Sequence, residues 1–503
     1  MKCDVTTLAA YKEHMQVAPA VVRQANMMTP FLSFVLPCPT RQHLSDEVAK
    51  IARHYGDLVE VLECPTDESL LDVLTHSKGQ FLWFLETEFL PSLAGIGEFY
   101  GEVAHASVLD AYFGDALTCD QSGALSDYFF GASYDPVLRQ DTGRMIGPVI
   151  VRRDSFLGFL KTIERSDNWA TNSDAIQSYL DQLAPDKSAS FAYPMGTYTA
   201  PIQWAKSEKN IELVDTPLLS IIIPSRNSLG LISKVLEGLF ENTDYPHFEV
   251  LVVDNGSDDP AVLDLYRDYA NRFSNFSAHI EEELFNFASM INRGIRLAKG
   301  DHFLLLNNDI EVIEDHWLRE MVHCLSFAQA GIVGAKLLFP DNSLQHAGVI
   351  VGLNGMASHW FINQASDTGG PNDRLYYRQS MTCVTGAVML ISRECYDAVG
   401  EWDEKNFAVA YNDVDYCMRA RSAGFICIWT PHAALYHHES VSRSKMKSWR
   451  DWWRFQKEKW ALKRIHKTKR FEDPAYSPRL VRRPKNIQLK DQVKPPYLRT
   501  WWD

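Results

Sequence analysis

"LLLNNDIEV", residues 304–312, decides the fold. Leu304, Leu305 and Leu306 read as a buried strand that stops abruptly in Asn307, Asn308 and Asp309. Two amides and a carboxylate at a strand tip need water or a charged ligand, because burying them unpaired is costly. Two stretches upstream have the same design. "SIIIPSRN" (220–227) is an apolar run that closes in Pro224, Ser225, Arg226 and Asn227. "FEVLVVDNGSDD" (248–259) closes in Asp254, Asn255, Gly256 and Ser257. Between these runs, "GLISKVLEGLFENT" and "FASMINRGIRLAKG" have helical spacing. Strand–helix–strand at this rhythm implies an α/β fold with a mostly parallel sheet and crossover helices. Ligands of such sheets bind at the carboxyl ends of the strands. Three polar strand ends therefore predict one shared site.

The rest of the composition sets bounds. The chain has 503 residues, room for two or three domains. At 46% hydrophobic and 23% charged it has an ordinary globular composition. A formal charge of −14 argues against a general nucleic-acid binder. From Arg443 onward, however, 19 Lys and Arg stand against 6 Asp and Glu, so the tail is basic. Nine scattered cysteines with no C-x-x-C pair read as reduced thiols. No signal peptide and no apolar run of about 20 residues is present. The expectation is a cytoplasmic protein, touching the inner face of the cytoplasmic membrane at most peripherally.

The first 205 residues echo the middle of the chain. "SFVLPCPTR" at Ser33 parallels "SIIIPSRN" at Ser220, and "SKGQFLWFLETEF" at Ser77 aligns without a gap on "AKGDHFLLLNNDI" at Ala298. "IGPVIVRRDSF" at Ile146 parallels "TGAVMLISRECY" at Thr385. A duplicated fold is expected, with a first copy (1–205) that lacks the "VVDNGSDD" turn, "NDVD" and "HHES" and is non-catalytic. Residues 206–442 make the second copy, and 443–503 a basic, Trp-rich helical and extended tail. Two readings of the tail stay open. Trp449, Trp452, Trp453 and Trp460 form a face that lies on anionic lipid, or they pack the helix onto the protein; their mixed spacing favours packing.

The ordered set "SIIIPSRN", "VLVVDNGSDD", "FNFASMINRGIRLAKGDHFLLLNNDIEVI", "GIVGAKLLFPDNSLQHAGVIVG", "TGAVMLISR", "NDVDYCMRARSAGF" and "ALYHHESVSRS" resembles the inverting glycosyltransferases of family two, with the GT-A fold. The branch it is most similar to includes rhamnosyltransferases and other builders of bacterial O-antigen and capsule, often with a second, degenerate half. The resemblance implies a transferase that moves a sugar from a UDP- or dTDP-sugar to a hydroxyl of a glycan acceptor carried on a lipid. Such chemistry needs the leaving diphosphate neutralised, normally by Mg2+ or Mn2+, and a base for the acceptor hydroxyl.

On that resemblance Asp413 is the catalytic base, and Asp309 and His437 are the metal contacts. Only one carboxylate is present at the tip, where the family usually shows Asp-x-Asp. Pro224, Ser225, Arg226, Asn227, Asp254, Asn255, Gly256, Asn286, Asn292, Asn307, Asn308 and Gly386 are implied to line the donor pocket. Trp360, Trp402 and Asp403 are candidates for the acceptor. Ser440, Ser442 and Arg443 would continue as a loop closing over the donor. Asp254 has a structural alternative as an Asx-turn carboxylate. Asp415 points roughly 200° away from Asp413 on a helix and is read as a helix-terminus charge that pairs with Arg419. His346, in "LQHAG", matches the family pattern without a role. Two other classes compete: a sugar-nucleotide pyrophosphorylase, for which the glycine-rich triphosphate loop is missing, and a non-catalytic nucleotide-sugar-binding scaffold.

Overall fold

A computed structural model describes residues 5–16, 30–37, 40–64, 69–103, 108–131, 135–142, 147–162, 172–202, 213, 215–438, 448–482, 488–490 and 498–502. Ser440, Ser442 and Arg443 lie outside the described residues. The chain forms two compact units. One comprises Met1–Lys206 with Pro474–Val481 and Asn486–Asp503, the other Ser207–Asp473 with Arg482–Lys485. The basic tail is thus shared out: the helix Trp449–Ile465 belongs to the second unit, and most residues after Asp473 belong to the first. Among the described residues no helix is long and apolar enough to cross a membrane. None of the seven described cysteines forms a disulfide.

In the first unit the strands are β1 (Leu32–Leu36), β2 (Val59–Glu63), β3 (Phe81–Phe84), β4 (Phe89–Pro91), β5 (Ala111–Cys119), β6 (Leu125–Phe129), β7 (Val149–Arg152) and β8 (Ser188–Tyr198). In the second they are β9 (Leu219–Ser225), β10 (Phe248–Asp254), β11 (Phe276–Ile280), β12 (His302–Leu306), β13 (Ile310–Val312), β14 (Ala330–Leu338), β15 (Leu344–His346), β16 (Val349–Val351), β17 (Ala357–His359), β18 (Gln379–Met381), β19 (Val388–Ser392) and β20 (Ile426–His437). A short β21 (Leu498–Arg499) returns to pair with β8. The class is mixed α/β with parallel-rich sheets, as expected.

The two sheets share one plan. The first runs β2-β1-β3-β7-β5-β8, and the second contains β10-β9-β12-β19-β14-β20. The directions match pair by pair. β1 is parallel to β2 and β3, as β9 is to β10 and β12. β7 is antiparallel to β3 and β5, as β19 is to β12 and β14. β5 is parallel to β8 and β14 to β20. Even the edge strand β4 on β8 has its counterpart in β13 on β20.

A polar pin also recurs inside both sheets. Ser33 Oγ donates to Glu60 Oε2 at 2.6 Å, and the Lys78 and Gly79 amides bond Glu60 at 2.8 Å and Ser33 Oγ at 3.0 Å. Ser220 Oγ donates to Glu249 Oε1 at 2.6 Å, and the Lys299 and Gly300 amides bond Glu249 at 2.6 Å and Ser220 Oγ at 2.7 Å. The glycine is needed because a Cβ on Gly300 would meet Ser220 N at 2.5 Å, and one on Gly79 would meet Ser33 N at 2.6 Å. Each unit buries its own apolar residues around this frame: Leu32, Phe34, Phe81 and Trp83 in the first, Ile221, Ile223, Val252, Leu304 and Leu306 in the second.

The helix Trp449–Ile465 departs from the packing expectation. It buries Glu458, Ala461 and Leu462, whereas Trp449, Trp452, Trp453 and Trp460 are exposed. The four indoles contribute no core, because the turn spacing that buries 458, 461 and 462 puts them on the other side.

Gly300→Ala and Gly79→Ala are each expected to destabilise the protein by about 1–3 kcal/mol, because backbone blocks the new methyl. Urea unfolding midpoints check this; an unshifted midpoint in either variant would show that its pin yields freely.

Candidate active site

Strand direction gathers the site. The parallel strands β9, β10 and β12 end on one edge of the second sheet. β14 and β20 point the same way as β12, since β19 is antiparallel to both β12 and β14. The ends of β9 (Ser225), β10 (Asp254), β12 (before Asn307) and β20 (His437), and the residues just before β19 (Gly386), therefore share that edge.

At its centre Asp309 Oδ1 faces His437 Nε2 at 3.1 Å, with both side chains buried. β13 sets this distance: Ile310 pairs with His437, and the His438 amide donates to the Asp309 carbonyl at 2.9 Å. His437 Nδ1 lies 2.7 Å from Gln345 Oε1, an acceptor, so Nδ1 carries a proton. In the neutral ring Nε2 then presents a lone pair to Asp309 Oδ1, which is buried without a hydrogen-bond partner among the described residues. Two facing lone pairs need a proton or a cation between them. Neighbouring ligands of an octahedral Mg2+ or Mn2+ with bonds near 2.1 Å sit about 3 Å apart, so this pair fits such an ion. Among the described residues no group of three or more His, Cys, Asp or Glu is arranged to hold a metal. Two protein ligands suffice where diphosphate oxygens complete the shell.

Asp413 stands in the first turn of the helix Asn412–Ser422. Its Oδ2 accepts from the Gly386 amide at 3.1 Å and its Oδ1 from the Val414 amide at 2.8 Å. Helix N-terminal amides favour a carboxylate there. A Cβ on Gly386 would make only ordinary contacts, 3.4 Å from Asp413 Cβ and 3.7 Å from the Trp402 ring. The residue before this helix, Tyr411, holds a left-handed φ of 61° that a non-glycine residue keeps only when its surroundings impose it. Two contacts do so. Tyr411 stacks on Phe455 at 5.9 Å, and Glu458 accepts from the Val409 and Ala410 amides at 3.0 and 3.1 Å. Asp415 is buried against Arg419 at 2.9 Å and His466 at 2.8 Å, a structural carboxylate.

His346 gains a role here. Its Nε2 accepts from the Thr385 amide at 3.3 Å, next to Gly386, and its Nδ1 bonds His359 Nδ1 at 2.9 Å. Burial, with His359 and His437 adding to it, pushes its pKa well below the usual 6.5. It is a neutral strut behind the amide that holds Asp413.

Several expected donor contacts are committed elsewhere. Asp254 is fully buried; its oxygens accept from the Ser257 amide and hydroxyl at 2.6 Å each and from Tyr266 at 2.9 Å, the Asx-turn arrangement. Asn227, at φ 43°, spends its side chain on Asp258 and Asp259. Asn286 caps the helix Phe287–Leu297, and Asn292 bonds Trp402 and Glu404. Trp360 and Trp402 are 2% exposed and offer no platform to an acceptor. Trp402 stacks on Tyr416 at 4.7 Å instead, and Asp403 caps Lys405 and Asn406. At the edge itself, Asn308 bonds Ser225 at 3.1 Å, Asn307 Nδ2 lies 3.5 Å from His437, and Arg226 is exposed. Asn255 Nδ2 is buried without a partner among the described residues, and Gly256, φ 75°, makes the turn beside it. The sequence reading missed Gln345 and Glu458. The one adjoins "HAG"; the other is the lone acid between Lys457 and Lys459.

The sequence profile described as "Glycosyltransferase like family 2" matches residues 217–463, the span that carries Asp309, Asp413 and His437. Residues 217–463 are thus similar to the family 2 glycosyltransferases. An uncharacterized protein of Sinorhizobium fredii, y4gI, is 40% identical over 53% of this chain and 29% of its own length. The O-antigen biosynthesis protein RfbC of Myxococcus xanthus is 30% identical over 79% of this chain and 30% of its own. The chain thus spans under a third of either relative. A Pyrobaculum calidifontis mannosyltransferase solved with GDP-Man and Mn2+ superposes on 53% of this chain and 68% of its own, at 17% identity and a TM-score of 0.37. So distant a likeness carries no residue role.

His346 makes stability pH-dependent. Its folded pKa lies below the unfolded 6.5, so the unfolded chain binds more protons as pH falls through 6.5, and stability drops by at most about 1.4 kcal/mol per pH unit from this group. Thermal melts from pH 7.5 to 5 should show His346→Gln losing less stability than wild type as pH falls, on a background set by His302, depressed by burial, and by Asp115, which burial pushes up to about 7 and which acts in the opposite direction. An unchanged slope in that variant would exclude the assignment.

Proposed function

We propose that residues 217–463 form a family 2 glycosyltransferase domain, metal-dependent and inverting, that moves a sugar from a nucleoside-diphosphate donor to a glycan hydroxyl in surface-polysaccharide synthesis. The observation that carries this is the unpartnered Asp309 Oδ1 facing His437 Nε2 on the sheet edge that also holds Asp413. The donor's nucleoside lies over Pro224–Arg226 and the Asn255–Gly256 turn. Asn307 and Asn308 flank the diphosphate. Asp309 and His437 would hold a Mg2+ or Mn2+, which would supply the neutralising charge. Asp413 takes the acceptor proton. The freed oxygen bonds to the anomeric carbon as the bond from that carbon to the diphosphate oxygen breaks on the opposite face. The Gly386 and Val414 amides keep the carboxylate aimed, and Glu458 and Phe455 hold the loop behind it.

The likeness to RfbC supports O-antigen or another surface glycan as the product, and UDP- and dTDP-sugars are the donors proposed. The first unit is proposed to be an eroded, non-catalytic copy. The reading is supported by the shared strand plan and by what stands at its matching edge. Glu88, the counterpart of Asp309, is paired with Arg41 and accepts from Thr199 Oγ1 at 2.7 Å. Tyr198 stands in register where His437 does and bonds Glu86 at 2.8 Å. Those carboxylates are satisfied by their own chain.

Asp413→Asn is expected to lower kcat by about 10²–10⁴-fold with the donor KM little changed, as for loss of a general base. Donor turnover by purified protein with Mn2+ measures it, and full turnover in the variant would remove the base. Asp309→Ala should abolish the Mn2+-dependent rise in melting temperature given by UDP or dTDP; a rise that persists would place the cation elsewhere.

A further inference from the structure

The helix Trp449–Ile465 has two faces with different tasks. Its inner face is tied to the base: Glu458 bonds the Val409 and Ala410 amides, Phe455 stacks on Tyr411, and His466, one residue past the helix, pairs with Asp415. Its outer face has no such ties among the described residues. At roughly 100° per residue, Trp449, Trp453 and Trp460 fall within roughly 40° of one line, with Trp452 on its flank. They are 71%, 53% and 64% exposed, and Trp452 is 44% exposed. Lys459 and Lys463 border the row on one side, and Arg450, Lys457 and Arg464 on the other. Arg450 lies over the Trp449 ring at 6.0 Å and Arg464 over Trp460 at 5.2 Å. The two acids of the helix stay off this face: Glu458 is buried, and Asp451 caps the helix start with Ser448 and pairs with Arg454.

A contiguous row of exposed indoles marks a surface that something covers. The chemistry of the row identifies the cover. Indoles favour the boundary between acyl chains and headgroups, where the ring is apolar and the N–H is wet. Lys and Arg on both flanks match headgroup phosphates, on a chain whose net charge of −14 otherwise repels them. We propose that this helix docks flat on an anionic lipid bilayer, tryptophans down, without crossing it. Docked this way, it would hold the loop that carries Asp413 beside the lipid surface. That corollary rests on the proposed function and suits an acceptor carried on a lipid; the docking itself does not rest on it.

The test is co-sedimentation of the full chain with vesicles of phosphatidylcholine alone or mixed with phosphatidylglycerol. The protein should partition onto the anionic vesicles only, and less as salt rises. The triple variant Trp449→Ala, Trp453→Ala, Trp460→Ala should lose roughly tenfold or more of that partition. So should Lys457→Gln, Lys459→Gln, Lys463→Gln, which leaves the apolar row intact and guards against misfolding of the first variant. Donor turnover with a soluble acceptor should be unchanged in both. Wild-type protein left in the supernatant at low salt would overturn the proposal. So would variants that bind as well as wild type, or a change of oligomer size on Trp removal without vesicle binding, which would assign the face to a second copy. Vesicle binding by a chain that turns over no donor would refute the proposed function and leave the docking standing.

Discussion

The site depends on one short contact, Asp309 Oδ1 against His437 Nε2. It joins the loop after β12 to the end of β20, two strands that are not neighbours in the sheet. The fold spends backbone to make it: β13 zips Ile310 to His437, and Gln345 fixes the ring from behind. With the His437 ring neutral, the buried Asp309 oxygen faces a lone pair instead of a donor, at a cost of the order of 1–3 kcal/mol that a cation between them relieves. The first unit shows the relieved alternative on the same strand plan. There the corresponding Glu88 is bonded to Arg41 and Thr199, and tyrosine replaces histidine.

Much of this was legible in the sequence, for physical reasons that vary by residue. Apolar runs ending in polar tips gave the sheet and the edge that gathers Ser225, Asn307, Asp309 and His437, because strand direction alone fixes which tips meet. The repeat between Ser33 and Ser220 was legible because the pin needs serine, glutamate and glycine at fixed offsets. What each polar side chain at the edge does was not legible. Asp254, Asn227, Asn286 and Asn292 have the residue types of ligand groups but are taken by turn and cap hydrogen bonds, whose partners are set by tertiary approach. Trp360 and Trp402 resemble sugar platforms, yet both are buried. The C-terminal tryptophans went the other way. Their spacing suggested packing, but the inner face of the helix is filled by Glu458, Ala461 and Leu462.

Glu458 links these levels. As the lone acid between two lysines it reads as a solvated charge, whereas the structure buries it to hold the strained loop before Asp413. Desolvation raises its pKa above the ordinary glutamate value, against the amides that favour its charge. The helix that supplies it carries the exposed indole row on its other side. The indole surface and the support for the loop before the base are therefore opposite faces of one element.

The most direct test of the central claim is the anomalous scattering of Mn2+ in a crystal grown with UDP or dTDP. The account predicts one strong peak about 2.1–2.2 Å from both Asp309 Oδ1 and His437 Nε2, with diphosphate oxygens completing its shell. A peak bound elsewhere, or a nucleotide seated in the site while Asp309 and His437 remain in direct contact with no cation between them, would contradict it.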